Sequence, residues 1–449
     1  MKVSSKTILS YGLGSLGQNL VYILTVSYLM LFYTDYFGIS AAAVGTLFLI
    51  ARIWDALIDP VMGIIVDNTK SRWGKFRPYL LVAPVIMAGL TVLCFLQPNI
   101  GPAAKIIYAY VTYIMWGMSY SVVDVPYWSM TSAITDDPKE RTKVVMVPRV
   151  MAIIAALFVS VFTLPLVKAL NSWVLVSLIY AVLCVVFFWI TFFNVKEQVT
   201  VERSEKFTFR DAFRVIKLNQ PLLLLLLTML LEDIVTKFRG AFGIYYFKYY
   251  LQAENLFPIF SLVSIVPILI GAMFVPMISK RLGKKKTTII GIVGYGVVHI
   301  ALFFVGKSMI PFFTLTILGA LFFGIATITM SAMIADCVEY GEWKTGKRAE
   351  GTVFSSNTFR SKFAGAIGGG IGAYMLSGIG YIPNQTQTGT TLVWMQLLFT
   401  IIPGILLLIS VVPLIKYPLT EETYEKILSE IKMKRESNKA KAETLAKFQ

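Results

Sequence analysis

Three charged residues, Arg52, Asp55 and Asp59, lie inside an apolar stretch of the sequence, "ARIWDALIDPVMG". A charged side chain at the centre of a bilayer costs about 2.5–3.5 kcal/mol, so such residues are usually kept for a function. In a helix this spacing places all three on one face. Two carboxylates one turn apart repel each other unless a cation lies between them, and one arginine cannot neutralise both. The spacing predicts a site for Na⁺ or a shared proton, with simple packing of Arg52 against one aspartate as the alternative.

A second candidate site lies in the stretch "MWGMSYSVVDVPYWSM", where Tyr120, Ser121, Asp124 and Trp128 share a helical face. A carboxylate beside an indole ring suits a sugar, because the acid accepts two hydroxyl groups and the ring covers the C–H face. An aromatic stripe alone would be ordinary packing. The acid within the stripe is what favours a sugar site.

Basic residues in two later apolar segments could balance these acids. Arg149 lies in the fifth segment, and Arg360 and Lys362 lie in the eleventh, with Thr358 one turn before Lys362. Once a coupling cation leaves, these groups could neutralise the acidic residues. Such an exchange of charge partners is typical of a coupled carrier.

The segments that carry these residues are long and apolar. The chain has 449 residues, of which 56% are hydrophobic and 15% charged, with a mean hydropathy of +0.70. Segments of about 20 apolar residues can cross a bilayer as helices. Twelve such segments are predicted, at 9–33, 41–66, 78–97, 104–131, 145–169, 173–194, 221–250, 257–279, 287–306, 311–338, 352–379 and 391–416. The sequence therefore predicts an all-α membrane protein with twelve transmembrane helices, the first of them retained in the mature protein.

The net charge of +16 would suggest nucleic acid as a partner for a soluble protein. Here most of the 41 lysines and arginines fall in alternate connections and in the two termini. Basic loops stay on the cytoplasmic side during insertion, so both termini are predicted to be cytoplasmic, in the inner membrane. The distribution of basic residues therefore indicates the membrane topology. We expect a lipid bilayer and no nucleic acid as partner, and function as a monomer.

A polar stretch close to the middle of the chain divides the apolar segments into six and six. We predict a six-helix bundle at 1–194, a central cytoplasmic loop at 195–220, a second bundle at 221–418 and a cytoplasmic tail at 419–449. The loops after equivalent helices resemble each other at an offset of about 200 residues, as two repeats would. Two such bundles form a secondary transporter, and the absence of a phosphate-binding loop argues against ATP as the energy source. We expect no cofactor beyond the coupling ion.

The equivalent cytoplasmic loops also carry charged residues at helix ends. We predict a gating role for these residues, with solvated positive-inside loops as the alternative reading. They are Asp67, Arg72, Arg141 and Asp336.

Several motifs resemble one family in matching order along the whole chain. They are "YGLGSLGQNL", "ARIWDALIDPVMG", "TKSRWGKFRPYLL", "TYIMWGMSYSVVDVPYWS" and "DCVEYGEW". The chain resembles the glycoside–pentoside–hexuronide cation symporters of the major facilitator superfamily. The resemblance implies a carrier, not an enzyme, that couples entry of Na⁺, Li⁺ or H⁺ to uptake of a small sugar.

The same resemblance implies roles for individual residues. It implies a cation site at Asp55, Asp59, Ser121 and Asp124, with the first two as metal ligands if sodium is the ion. It implies substrate-binding residues at Asn19, Tyr120, Asp124, Trp128, Arg149, Thr358 and Lys362. The sequence departs from the family at Gly17–Gln18–Asn19, where the melibiose-transporting member has a Lys–Asp pair, and at Thr327, where an aromatic residue is expected. These departures argue against melibiose itself and leave other glycosides, pentosides and uronides open.

Three other functions remain as alternatives. A membrane-embedded transferase would place its acids at a membrane face, whereas these acids lie within segments. A carrier-derived sensor would bind sugar without moving it. A symporter of a lipid-like substrate would need a wide apolar opening, and Trp128 beside Asp124 favours a sugar instead.

Overall fold

The structure is a computed structural model that describes residues 3–135, 138–198, 216–346 and 350–433. All regular secondary structure in these ranges is helical. The first six helices are α1 Ser5–Leu31, α2 Ala41–Asn68, α3 Arg77–Cys94, α4 Pro102–Ile134, α5 Pro138–Leu170 and α6 Trp173–Asn194. The later ones are α7 Gln220–Tyr245, α8 257–282, α9 284–305, α10 Met309–Thr345, α11 Glu350–Gly378, α12 Gly389–Phe399, α13 Ile401–Ile409, α14 Val412–Ile415 and α15 421–433.

Local sequence explains where several helices begin. Ser4, Ser40 and Ser172 accept hydrogen bonds from backbone N–H groups in the first turns of α1, α2 and α6. These bonds satisfy N–H groups that have no partner within the helix. Within the described residues, eight helical stretches are long and apolar enough to cross a membrane, and one of them, Glu254–Val305, contains both α8 and α9.

The helix pair α1 and α7 ends in the same way. α1 continues into a π-helical turn, Phe32–Tyr36, and α7 continues into another, Tyr246–Tyr250. In each case the residue after the π turn donates its backbone N–H to the carbonyl of the first π residue. The N···O distance is 2.9 Å from Phe37 to Phe32 and 3.0 Å from Leu251 to Tyr246. The recurrence at equivalent helices is what two structural repeats produce.

A second feature recurs at the start of α3 and α9. Gly74 has a φ of +108°, and the carboxylate of Glu197, just after α6, accepts from the backbone N–H of Phe76 at 2.7 Å and of Arg77 at 3.1 Å. Gly283 has a φ of +80°, and Glu421 accepts from the backbone N–H of Lys284. In both halves a glutamate beyond the sixth helix therefore caps the helix that follows a left-handed glycine.

The chain divides into two compact units. Unit 1 comprises Met1–Arg203, Phe238–Leu262 and Ala366–Met395, and unit 2 comprises Ser204–Lys237, Val263–Gly365 and Gln396–Gln449. The predicted domain boundaries follow the helix repeat and remain a prediction.

Unit 1 is built around α1, which packs on α5 and α6, while α3 and α2 pack on α4. Small residues of α1 allow this close approach. A Cβ atom at Gly17 would lie 3.0 Å from the Cα of Cys184 on α6, tighter than side-chain contacts normally are. The "GLGSLG" pattern thus allows α1 to pack closely against α6.

Unit 2 has its own apolar core and includes the described part of the tail. Leu222 and Leu225 of α7 pack with Met330 of α10 and Leu407 of α13. Helix α15 adds Ile427 and Ile431 to this core. The indole N–H of Trp343 donates to the Glu430 carboxylate at 2.7 Å, so α15 is held on the second unit.

Candidate functional site

The carboxylate of Asp124, in the middle of α4, is the centre of a polar cluster in unit 1. The Gln18 side-chain amide of α1 donates to Asp124 Oδ1 at 2.6 Å. The Tyr120 hydroxyl, one turn earlier on α4, donates to the same oxygen at 3.4 Å. The half-buried acid is thus held by one side chain from α1 and one from its own helix.

Gln18 is almost fully buried and has a free acceptor. Its Oε1 atom lies buried without a hydrogen-bond donor among the described residues. The amide orientation follows from Asp124, because a carboxylate attracts the NH₂ group and repels the carbonyl oxygen. An unsatisfied buried acceptor is costly, and a ligand hydroxyl is a donor that could satisfy it.

Aromatic rings extend along α4 beside this cluster. Tyr120 stacks on Trp116, with ring centroids 5.8 Å apart. The ring centroid of Tyr22 on α1 lies 4.8 Å from that of Tyr120. Half-buried Trp128 is one turn beyond Asp124, and the Arg149 guanidinium of α5 lies over its ring at 5.7 Å. The structure therefore brings four predicted residues, Tyr120, Asp124, Trp128 and Arg149, to neighbouring positions of α4 and α5.

Two further predicted residues of unit 1 have different surroundings. Asn19 donates to the Ser15 carbonyl of its own helix at 2.8 Å, and among the described residues no bond links it to Asp124. Ser121 is only 2% exposed and lies on α4 beside the cluster.

The predicted cation residues lie on α2, whose backbone is helical throughout Ala41–Asn68. Positions 55 and 59 therefore share one face, as the spacing requires. The side chains of Asp55 and Asp59 lie outside the described residues, so their cation site stays a prediction.

The remaining substrate residues are on α11 in unit 2. Thr358 is exposed, and its hydroxyl donates to the Phe354 carbonyl of the same helix at 3.2 Å. Lys362 is half-buried on the same helix, one turn further on.

Of the four predicted gating residues, two are described. Asp336 is buried in the last third of α10 and pairs with the Lys284 ammonium, at 2.7 Å and 2.6 Å to its two oxygens. Arg72 is exposed and lies over the Trp73 ring at 4.6 Å. The side chains of Asp67 and Arg141 lie outside the described residues.

One polar cluster in unit 1 was missed from the sequence. The Asp35 carboxylate, in the π turn after α1, is fully buried and accepts from Lys248 at 2.5 Å and from the Tyr249 hydroxyl at 2.5 Å. Tyr381, just after α11, also donates to it. Asn384 donates to the Asp35 backbone carbonyl at 2.5 Å. We call Asp35, Lys248, Tyr249, Tyr381 and Asn384 the Asp35 cluster.

The Asp35 cluster ties the end of α1 to the ends of α7 and α11. Burial and the nearby Asp35 carboxylate raise the pKa of Tyr381, so its hydroxyl keeps its proton and remains a donor. The sequence offers only a weak sign of this cluster, an acid at the fourth position of the aromatic run "FYTDY" and a base at the third position of "YFKYY".

The sequence matches the profile of a family described as MFS/sugar transport protein over residues 10–421. The chain belongs to this family. It is 35% identical to the isoprimeverose transporter of Lactiplantibacillus pentosus over 97% of this chain and 92% of that protein. It is 31% identical to the glucuronide carrier protein homolog of Escherichia coli (strain K12) over 96% of both. The resemblance to the glycoside–pentoside–hexuronide symporters is thereby confirmed.

Solved structures support the fold. The chain is similar to a bacterial homolog of the human lysosomal transporter Spinster, solved in an inward-facing and unoccupied conformation. The likeness has a TM-score of 0.72 at 13% identity and covers 94% of this chain and 98% of that one. The predicted all-α, major-facilitator-type membrane fold is confirmed, and the chain is a multi-pass membrane transporter of the sugar transport family.

Proposed function

We propose that this transporter is a symporter that couples the entry of Na⁺ or H⁺ to uptake of a glycoside, pentoside or hexuronide. The observation that carries the proposal is the Asp124 carboxylate held by Gln18 and Tyr120 one turn from Trp128. In this arrangement acceptors lie beside an aromatic face within a membrane bundle. Sugars present hydroxyl donors on their rim and C–H groups on their faces, which fits both features.

Each residue of this group has a chemical task. Asp124 and Gln18 Oε1 are the proposed acceptors of hydrogen bonds from sugar hydroxyls, while Tyr120 and the Gln18 NH₂ group hold the acid in place. Trp128 covers one face of the ring. Arg149 over Trp128 supplies a positive charge that would pair with the carboxylate of a uronide. We include both neutral and anionic sugars, because one relative is named an isoprimeverose transporter and another a glucuronide carrier homolog.

The cation is proposed to bind between Asp55 and Asp59. These positions share one face of α2, and a carboxylate pair inside a membrane bundle is stable only with a cation or proton as partner. The basic loops favour cytoplasmic termini and support an inner-membrane location in this proposal. A potential of 100 mV then contributes about 2.3 kcal/mol per inward positive charge, or about fifty-fold sugar accumulation.

Alternating access needs a contact that closes and opens one face. The Asp35 cluster is suited to this task because one carboxylate gathers donors from the ends of α7 and α11. It lies at the helix ends opposite the basic loops, which the proposed topology places outside the cell. We assign it as the outer gate, with the Lys284–Asp336 pair as an ion pair of the cytoplasmic face.

The binding geometry predicts unequal effects at two adjacent residues. Gln18→Ala is expected to weaken sugar binding about ten-fold, because it removes an acceptor and releases Asp124. Asn19→Ala is the matched control and is expected to change affinity less than three-fold, since Asn19 bonds its own helix. The effects of both substitutions are measured by equilibrium binding of isoprimeverose and of methyl glucuronide to the purified proteins. A larger loss in Asn19→Ala would place the sugar on Asn19, and no binding of either sugar would contradict the proposed substrate class.

A further inference from the structure

Unit 2 contains a buried acid that the site described above does not use. Glu232 of α7 is 4% exposed and is next in the chain to Asp233. Its side chain receives one hydrogen bond, from the Thr327 hydroxyl of α10, and this bond is long at 3.4 Å. Among the described residues Glu232 forms no ion pair. A bare carboxylate in such surroundings would cost several kcal/mol.

The basic residue near Glu232 is already engaged. The Arg360 guanidinium of α11 pairs with Asp233 at 2.7 Å. It also donates to the Met229 carbonyl at 2.7 Å and to Asn357 Oδ1 at 3.0 Å. Two charged groups of the described chain interact electrostatically with Glu232: Asp233 on its own helix and Arg360 on α11. Thr327 on α10 is its polar neighbour. Arg360 pairs with Asp233 in this structure, so the buried Glu232 carboxyl has no cationic partner while that pair is intact.

The two acids differ in their access to water. The Asp233 side chain is 22% exposed, so water can solvate it when Arg360 leaves. The Glu232 side chain is buried and water does not solvate it. If Arg360 moves from Asp233 to Glu232, the Glu232 carboxyl releases its proton to water and Asp233 becomes hydrated. When Arg360 returns to Asp233, Glu232 takes up one proton again. Each such exchange changes the charge of the group by one.

We propose that Glu232 is a proton-binding site in unit 2 that loads and releases one H⁺ in each transport cycle, with Arg360 as the group that displaces the proton. The inference rests on the proposed function as a cation-coupled carrier. It places a coupling site for H⁺ on α7, α10 and α11, separate from the pair on α2.

The test uses the full chain in liposomes, with labelled isoprimeverose and methyl glucuronide as probes. In wild type, a pH gradient with an alkaline interior is expected to drive accumulation and sugar entry to acidify the interior. In Glu232→Gln the side chain keeps nearly the same shape, and we expect this accumulation to fall at least ten-fold. Its sugar exchange, which needs no net proton movement, should stay within two-fold of wild type. The exposed tail residue Glu422 supplies the control, and Glu422→Gln is expected to behave as wild type.

Three results would overturn the proposal. Full pH-driven accumulation in Glu232→Gln would show that the proton is carried elsewhere. Loss of exchange together with accumulation would give Glu232 a structural role. Sugar uptake driven by Na⁺ in wild type, without proton movement, would remove the proton site and leave the symporter proposal standing. Failure of any cation gradient to drive uptake of either sugar would instead contradict the symporter proposal itself.

Discussion

Asp124→Asn is expected to weaken sugar binding by about 100-fold or more. Hydrogen bonds to a charged acceptor contribute about 1.5–3 kcal/mol each, and a sugar would make two of them with this carboxylate. The new NH₂ group would also face the Gln18 amide, which now donates at 2.6 Å. The dissociation constant of the sugar, followed by the fluorescence of Trp128 and Trp116 near the site, measures the change.

Thr112→Val is the matched control on the same helix. Thr112 donates to the Tyr108 carbonyl of its own helix at 2.8 Å, so its loss is expected to leave sugar affinity unchanged. An Asp124→Asn protein that is folded, by the thermal unfolding midpoint, and still binds sugar within three-fold of wild type would exclude Asp124 from the binding site.

Asp35→Asn is expected to open the outer gate. The Lys248 side chain is only 18% exposed and pairs with a carboxylate that is fully buried. Neutralising that partner leaves the ammonium and the Tyr249 and Tyr381 hydroxyls with a poorer acceptor. Breaking a fully buried pair costs about 3–5 kcal/mol, and partial exposure of Lys248 reduces this to about 2 kcal/mol, or about 30-fold in the population of the open state.

A reporter cysteine measures the opening. The native Cys94, Cys184 and Cys337 are buried and give a low background. Asn19→Cys on α1 would be labelled with a membrane-impermeant maleimide added outside sealed vesicles. The labelling rate is expected to rise about 30-fold with Asp35→Asn. It should rise only a few-fold with Asn384→Ala, which removes a bond to the Asp35 backbone carbonyl and one from the Lys248 ammonium but leaves the Asp35–Lys248 ion pair in place. Equal labelling rates with and without Asp35→Asn would refute the gate.

Local spacing was enough to predict part of this site. Tyr120, Asp124 and Trp128 lie on one helix, so their shared face follows from the 3.6-residue period, and the Tyr120–Asp124 bond lies within one turn. Arg149 is on the next helix, and the structure places it over Trp128.

Contacts between distant helices could not be predicted from spacing. Gln18 and Asp124 are 106 positions apart, and only the packing of α1 against its neighbours shows that Gln18, and not Asn19, faces the acid. The partners Asp35 and Lys248 are 213 positions apart, and each looks like an ordinary charge at a membrane edge. The same limit applied to Glu232. Its neighbour Asp233 pairs with Arg360 of α11, which sequence spacing on α7 alone could not indicate.

The fold followed more directly from the sequence. Apolar segments of membrane-spanning length recur along the chain, and the positions of the helices agree with them. Two details of the helices depend on backbone geometry that cannot be predicted from hydropathy. The π turns after α1 and α7 depend on backbone hydrogen bonding, and Gly283 breaks Phe257–Val305 through its positive φ.

We propose that a cation gradient drives sugar across the membrane through this chain. The most direct test of this coupling is uptake of labelled glycosides, pentosides and uronides into liposomes that contain the purified protein, under an imposed Na⁺ or pH gradient. We predict that one of the gradients drives accumulation of at least one sugar, and that Asp59→Cys abolishes this accumulation. Sugar binding without flux under either gradient would contradict the claim and identify the chain as a sugar sensor.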